Sequence, residues 1–141
     1  MRRRDLIGAL GTLPLIASDA WSNTAGDLRV SIAGIAPGTT RRIAWSGGNV
    51  VHVLRRPDKA EHAAHWDELG NPEWLVVLAI CTHQACEPRS GIGPGGGWRC
   101  LCHGSEFDLA GRVVRGPATE DLKRLPFSID GSLMTIVFDS A

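Results

Sequence analysis

Short runs of alternating apolar and polar residues predict a chain built mainly from β-strands. Leu28, Val30 and Ile32 alternate with polar or small neighbours, which is the period of a half-buried strand. A continuous apolar run at 74–80 predicts a buried strand that ends directly before Cys81. Further strands are expected, next to Gly, Pro or Asn turn signals, at 41–45, 50–54, 112–115, 123–129 and 133–138. The predicted fold class is therefore all-β.

The first 20 residues have a different pattern from the rest of the chain. Arg2, Arg3 and Arg4 precede an apolar run at 6–17, as in a twin-arginine export signal or a signal-anchor helix. A helix of this run spans only about 18 Å, whereas the hydrocarbon core of a membrane is about 30 Å thick. We therefore expect residues 1–20 to be either an uncleaved anchor helix or a leader that is cleaved near Ala20.

Composition and charge indicate one globular domain after this segment. The chain has 141 residues, with 15 basic and 15 acidic side chains and no net charge. Because no basic stripe is present, nucleic acid is not an expected partner. Residues 21–26 are small and polar and predict a flexible linker, which leaves 27–141 as the domain.

Three histidines are given no metal-binding role. His62 and His65 lie in a possible short helix at 57–69, where no cysteine or carboxylate with ligand spacing completes a site. His52 falls in a predicted strand and is expected to be a structural or surface residue.

All four cysteines lie in two short segments that also contain the other two histidines. Cys81–Cys86 reads Cys-Thr-His-Gln-Ala-Cys, and Cys100–Ser105 reads Cys-Leu-Cys-His-Gly-Ser. Thiolates and imidazoles are the ligands that iron–sulfur and zinc sites use. Each segment mixes the two types, which favours a cluster whose two irons have different ligands. A zinc site and a framework of disulfides alone are the alternatives.

These two segments resemble the two cluster-binding boxes of Rieske 2Fe–2S proteins. The similarity is closest to the Rieske subunits of ubiquinol–cytochrome c reductase, the cytochrome bc complex. It continues into Glu73–Val76, Gly96–Trp98, Gly111-Arg112 and Gly116–Ala118. The resemblance implies a Rieske fold of stacked antiparallel sheets with a small cluster-binding subdomain at about 80–118.

The resemblance also implies a role for each residue of the two boxes. Cys81 and Cys100 would bind one iron of a single 2Fe–2S cluster, and His83 and His103 would bind the other, more exposed iron. Ser105 matches a hydroxyl donor to a bridging sulfide. The remaining cysteines, Cys86 and Cys102, would form a disulfide, and Gly116-Pro117 matches a loop that covers the cluster.

By the same resemblance, the chain would be an electron-transfer subunit without catalysis of its own. It would take an electron and a proton from quinol at the exposed histidines, beside a quinol-binding cytochrome b, and pass the electron to a c-type cytochrome. The expected location is a bacterial inner membrane, with the N-terminus cytoplasmic and the domain periplasmic, or a soluble periplasmic form. Alternatives are a periplasmic Rieske subunit of another oxidoreductase, similar to the small subunit of arsenite oxidase, a Rieske ferredoxin of an oxygenase, and a zinc-stabilised binding module.

The chain departs from the pattern of that family at several positions outside the ligands. The family has Leu, Gly, Pro, Tyr and Pro where this chain has Gln84, Ala85, Leu101, Phe107 and Thr119. The chain contains no Tyr at all. Because the family's Tyr donates a hydrogen bond to a ligand sulfur, its replacement predicts a lower reduction potential.

Overall fold

The computed structural model describes residues 27–57, 71 and 73–138, and its secondary structure is almost entirely β. All paired strands are antiparallel, so the all-β prediction is confirmed. The strands within these ranges are β1 (Asp27–Ser31), β2 (Thr40–Ala44), β3 (Val50–Arg55), β4 (Trp74–Leu78), β5 (Arg89–Ser90), β6 (Trp98–Arg99), β7 (Glu106–Phe107), β8 (Val113–Arg115), β9 (Phe127–Asp130) and β10 (Leu133–Val137).

The strands form three sheets that share two hydrophobic cores. The first sheet has the order β1-β10-β9, the middle sheet β2-β3-β4, and the third sheet β5-β6-β7-β8. The first core lies between the first and middle sheets and includes Val30, Met134, Val53 and Val76. Burial of these side chains removes apolar surface from water, which is the main force that holds the sheets together.

The middle sheet contacts a core on each of its faces. Val53 and Val76 belong to the first core, whereas their neighbours Leu54 and Leu75 belong to a second core. Successive side chains of a strand point to opposite faces, so a strand covered on both faces needs apolar residues at every position. This explains the uninterrupted apolar run that predicted β4.

The second core connects the middle sheet to the third sheet, which carries the predicted site. Trp98 on β6 and Phe107 on β7 are fully buried in it, together with the two cysteines Cys81 and Cys100. The third sheet is small, since three of its four strands have only two residues. The predicted site therefore stands on short strands that are packed against a larger, regular sheet.

Most predicted strands are present, with one clear error. The strand predicted at 123–129 was wrong in its first half, because β9 begins only at Phe127. Pro126 has no N–H to donate to a ladder, and the preceding residues make only an isolated bridge from Arg124 to Val77 on the middle sheet. The hairpin predicted at 47–49 is present as a 3₁₀ turn between β2 and β3.

Several predictions fall outside the described residues. These are the signal or anchor at 1–20, the linker at 21–26 and, after Pro57, the short helix with His62 and His65. Within the described ranges, no helix has the length and apolar character needed to cross a membrane.

Candidate metal centre

Each cysteine-containing loop is closed on itself by backbone hydrogen bonds. In the first loop, which follows β4, the Cys81 N–H donates to the Cys86 carbonyl at 2.7 Å. In the second loop, between β6 and β7, the Cys100 N–H donates to the Ser105 carbonyl at 2.8 Å. Gly104 turns the second loop with a φ of 82°, a left-handed conformation that residues with a Cβ rarely adopt. Each box of the sequence is therefore one compact turn.

The four cysteines are present in two different states. Cys86 and Cys102 form a disulfide that joins the two loops. Cys81 and Cys100 are free thiols and are buried, with 3% and 1% of their surfaces exposed. The Sγ atoms of Cys86, Cys100 and Cys102 all lie within 4.8 Å of one another. The disulfide thus lies beside the Cys100 thiol, and of the four cysteines only Cys81 and Cys100 remain available as ligands.

The two histidines of the loops meet at the surface. The rings of His83 and His103 have centroids 4.9 Å apart and are nearly perpendicular, with an interplanar angle of 83°. Both side chains are exposed, whereas the free cysteines of the same loops are buried. The two predicted imidazole ligands therefore meet at the surface, and the two predicted thiol ligands of the same loops are buried.

The protein environment favours negative charge on one of the two thiols. Burial raises the pKa of the Cys81 thiol. Hydrogen bonds to its sulfur have a larger, opposite effect and lower this pKa below its ordinary value; they involve the backbone N–H groups of His83 and Gln84 and the side chains of Cys100 and Ser105. Burial raises the pKa of Cys100, and the neighbouring Cys81 raises it further, against the backbone N–H groups of Cys102 and His103. Backbone donors from both loops therefore point at sulfur, as anionic sulfur ligands require.

The segment after β8 is tied to both loops by side-chain hydrogen bonds. Ser105 is fully buried, and its hydroxyl accepts a hydrogen bond from the Ala118 N–H at 3.0 Å. The Thr82 hydroxyl donates to the Glu120 carbonyl at 2.6 Å. The segment that the family resemblance assigns as a cover, including Gly116-Pro117, is thus anchored beside Cys81.

The positions that depart from the family pattern are mostly at the surface. Gln84, Ala85, Leu101 and Thr119 are exposed, and 59% of the Leu101 surface is accessible. Phe107 differs, because it is fully buried in the second core with Cys81 and Cys100. The departures therefore affect the outer surface around the histidines and one buried contact near the thiols.

A buried polar contact that the sequence did not indicate supports both loops. His52 on β3 has only 3% of its surface exposed, and its Nδ1 accepts a hydrogen bond from Trp98 Nε1 at 2.9 Å. Its Nε2 lies 3.4 Å from Glu87 Oε1, and Glu87 is held by two hydrogen bonds from Arg42. Burial lowers the pKa of His52, against a smaller opposing effect of Glu87. No spacing signal could have found these partners, which are 35 and 46 residues from His52.

The donor set fits a cluster that is bound by two cysteines and two histidines. A cluster with four cysteine ligands is excluded for these loops, because the disulfide uses two of their cysteines. Two thiols inside and two imidazoles outside suit a site whose two metal ions differ in ligands and in exposure. Ligand chemistry alone leaves a zinc ion as the alternative.

Comparison with known proteins decides between these alternatives. The family model described as "Rieske [2Fe-2S] domain" matches residues 33–126. The chain belongs to the Rieske family. The cofactor of this domain is a 2Fe–2S cluster, and both the family resemblance and the expected cofactor are confirmed.

The relatives of this Rieske domain include proteins named as Rieske subunits of the cytochrome b-c1 complex. It is 40% identical over 109 residues to the mitochondrial cytochrome b-c1 complex subunit Rieske-5 of Nicotiana tabacum, with 68% of this chain and 40% of the relative covered. It is 31% identical over 156 residues to the mitochondrial Rieske subunit of the cytochrome b-c1 complex of Schizosaccharomyces pombe, with 93% of this chain and 68% of the relative covered. The chain thus spans about two fifths of the length of the tobacco relative.

A solved structure supports the fold independently. The structure titled "Hyperthermophilic respiratory Complex III" superimposes with a TM-score of 0.59 at 23% identity, over 75% of this chain and 71% of that chain. At this identity the likeness shows the fold alone. A solved plasma membrane Rieske protein of Synechocystis also superimposes, with a TM-score of 0.51 at 24% identity over 69% of this chain and 84% of that chain, so the Rieske fold that the resemblance implied is confirmed.

Proposed function

We propose that this Rieske domain is the electron-transfer subunit of a quinol–cytochrome c reductase. The observation that carries the proposal is the pair of exposed imidazoles, 4.9 Å apart, in the same two loops as two buried free thiols. In this proposal Cys81 and Cys100 hold one iron, and His83 and His103 hold the outer one. The similarity to named subunits of the cytochrome b-c1 complex supports the assignment.

In this proposal the protein holds the cluster and leaves the two imidazoles accessible to quinol. When bound, the 2Fe–2S cluster accepts and releases one electron, at a potential that histidine ligands raise. The exposed imidazoles of His83 and His103 present a ring nitrogen that can hydrogen-bond a quinol hydroxyl and take its proton. The backbone N–H groups of both loops stabilise negative charge on sulfur, and burial of the thiols keeps water from them.

The first experiment tests the cluster and its ligands. The purified holoprotein should be coloured and, after reduction with dithionite, should give the electron paramagnetic resonance (EPR) signal of a Rieske cluster. Ala substitutions at His83 or His103 should abolish this signal, whereas the exposed control substitution Lys123→Gln should preserve it. A colourless, EPR-silent holoprotein would overturn the proposed function.

The second experiment tests the reaction. Membranes that contain the cytochrome b and c-type cytochrome subunits but lack this chain should oxidise quinol only after the chain is restored. Restoration with His103→Ala should give no quinol oxidation, while the Lys123→Gln control should restore it. Full quinol oxidation with His103→Ala would contradict the role of the exposed histidines.

The location of the protein is also proposed. Residues 1–20 would anchor the chain in a bacterial inner membrane, with the N-terminus cytoplasmic and the domain periplasmic, and residues 21–26 would be the tether. Carbonate-washed membranes should retain the protein, and N-terminal sequencing should find the uncleaved start. Release by carbonate of a protein that begins near Trp21 would support the soluble periplasmic form instead.

A second candidate function is supported by the surface around the histidines. Gln84 and Leu101 are exposed there and differ from the family's Leu and Pro. A changed docking surface suits a Rieske subunit of another periplasmic oxidoreductase, similar to the small subunit of arsenite oxidase. This candidate predicts that the purified holoprotein restores no quinol oxidation in the membrane assay.

A further inference from the structure

His52 is placed between the middle sheet and both loops of the cluster site. It lies on β3, where its imidazole is almost fully buried. On one side it binds Trp98, which is two residues before Cys100. On the other side it faces Glu87, which directly follows Cys86 of the disulfide. One side chain of the middle sheet therefore contacts residues next to each box.

The hydrogen bonds fix the tautomer of this imidazole. The indole Nε1–H of Trp98 is a donor only, so Nδ1 of His52 must be the unprotonated acceptor. The ring proton of the neutral imidazole is then on Nε2, which faces Glu87 Oε1. Glu87 is itself oriented by the Arg42 guanidinium, at 2.6 and 2.9 Å. The four side chains form a connected series from β2 to β6.

The alternative is that His52 only fills space in the core. A buried apolar residue would fill the same volume, but it would leave the Trp98 N–H without an acceptor, since the Trp98 surface is only 1% exposed. A buried donor without a partner is costly, and a movement of the indole towards another acceptor would relieve that cost. Such a movement would displace β6 and the start of the second loop. The contact therefore satisfies a buried donor close to the second loop and does more than fill volume.

We propose that His52 is a positioning residue for the 2Fe–2S cluster, which holds Cys100 through Trp98 and the disulfide through Glu87. The proposal rests on the ligand set proposed above. A shift of either loop would change the geometry of sulfur and imidazole around the irons. EPR g-values and the reduction potential respond to that geometry, whereas loss of core packing alone does not alter them.

The test compares variants of the holoprotein that separate positioning from packing. His52→Leu removes the acceptor and keeps the volume, and Trp98→Phe removes the donor. His52→Asn places an amide oxygen near the position of Nδ1 and should restore an acceptor. Val53→Ala is the matched control, because Val53 is the next residue of β3, fully buried, and packs in the first core away from the loops.

We expect both His52→Leu and Trp98→Phe to shift the g-values and the midpoint potential. His52→Leu, which leaves the Trp98 N–H as an unsatisfied buried donor, should also increase the rate of cluster loss on heating about tenfold. The double variant should lose its cluster no faster than His52→Leu, because it no longer contains the unpaired Trp98 donor. His52→Asn should return the spectrum towards that of the wild-type protein. Val53→Ala should lower the melting temperature with an unchanged spectrum and potential.

Two results would overturn the inference. One is a wild-type spectrum and potential in His52→Leu together with a lowered melting temperature like that of Val53→Ala. The other applies if His52→Leu does not fold: unchanged g-values and an unchanged potential in Trp98→Phe would then overturn the inference. Failure of the proposed function is a separate observation, because it would appear as the absence of a Rieske signal in the wild-type holoprotein.

Discussion

Phe107 is the residue at which this domain differs most directly from the family pattern near the ligands. Its ring is fully buried in the second core, beside Cys81 and Cys100. A tyrosine at this position could donate a hydrogen bond to a ligand sulfur, and such bonds stabilise the added electron of a reduced cluster. Phenylalanine supplies the same volume without the donor.

We predict that Phe107→Tyr raises the midpoint potential of the holoprotein. The measurement is a redox titration that is followed by EPR. Phe127→Tyr is the control, because Phe127 packs against the first core and should leave the potential unchanged. The same potential in Phe107→Tyr and in the wild type would contradict this account of the missing hydroxyl.

The lowered pKa of His52 leads us to predict that the stability of the fold depends on pH. Burial holds its pKa below the ordinary 6.5, with Glu87 acting to raise it and Arg42 to lower it. Just below pH 6.5 the His52 imidazole therefore binds a proton in the unfolded chain but stays neutral in the folded chain. The stability that comes from the neutral imidazole is complete above this pH and is lost as the pH falls through the folded pKa. The pKa of Glu87 is lowered by Arg42, so its contribution is lost only as the pH falls below 4.5.

The melting temperature of the wild type should accordingly be lower at pH values below 6.5 than above it. The decrease in melting temperature should be smaller in His52→Leu, because this variant has no titratable imidazole at position 52. Parallel pH profiles of the two proteins would show that His52 does not cause the dependence.

Among the elements, β6 depends on a glycine that precedes it. Gly97 lies directly before β6 and has a φ of −71°. A Cβ there would overlap the backbone at the end of β7, at the carbonyl oxygen of Phe107 and, just after the strand, at the carbonyl carbon of Asp108 at 2.6 Å. Glycine is needed because the backbones approach closely, and the approach sets the distance between β6 and β7.

We predict that Gly97→Ala destabilises the fold by about 1–3 kcal/mol, the usual cost of overpacking. Denaturant unfolding measures this change. Gly116→Ala is the control, because its nearest neighbours are 3.8 Å from the added Cβ. Equal loss of stability in the two variants would contradict the close-approach argument.

The disulfide joins the two loop elements across 16 residues of sequence. We predict that Cys86→Ser keeps the four proposed ligands but loses about 3 kcal/mol of stability in the chain-entropy model. The visible absorbance of the cluster should disappear at a lower temperature on heating. Ser128→Ala, an exposed change on β9, is the control. Unchanged cluster retention in Cys86→Ser would argue against the stabilising role of the bridge.

The strands differ in how far the sequence could predict them. The longer strands show a period of two or a continuous apolar run, so β1, β3 and β4 could be predicted. The two-residue strands β5, β6 and β7 were missed, since two residues are too few for a period. The start of β9 was misplaced because Leu122 and Leu125, which precede it, are buried in the cores without being part of a strand.

At the scale of the whole molecule, some features of the site could also be predicted from the sequence and others could not. The proposed ligands could be predicted because each pair lies within one short loop, and residue type with spacing carries that information. The contacts of His52 with Trp98 and Glu87 could not be predicted from the sequence, because they arise only when the middle sheet packs against the third sheet. The middle sheet thus connects two cores and also reaches the loops through one polar side chain.

The pairing of β1 with β10 has a further consequence. Asp27 and Val137 are opposite each other in this pair, so the first and last strands place the two ends of the described domain side by side. Paired Cα atoms of antiparallel strands are only about 5 Å apart. A short peptide could therefore join the ends into a circular backbone without disturbing any sheet. Because a ring has fewer unfolded conformations, such a cyclised domain would resist unfolding more than the linear one.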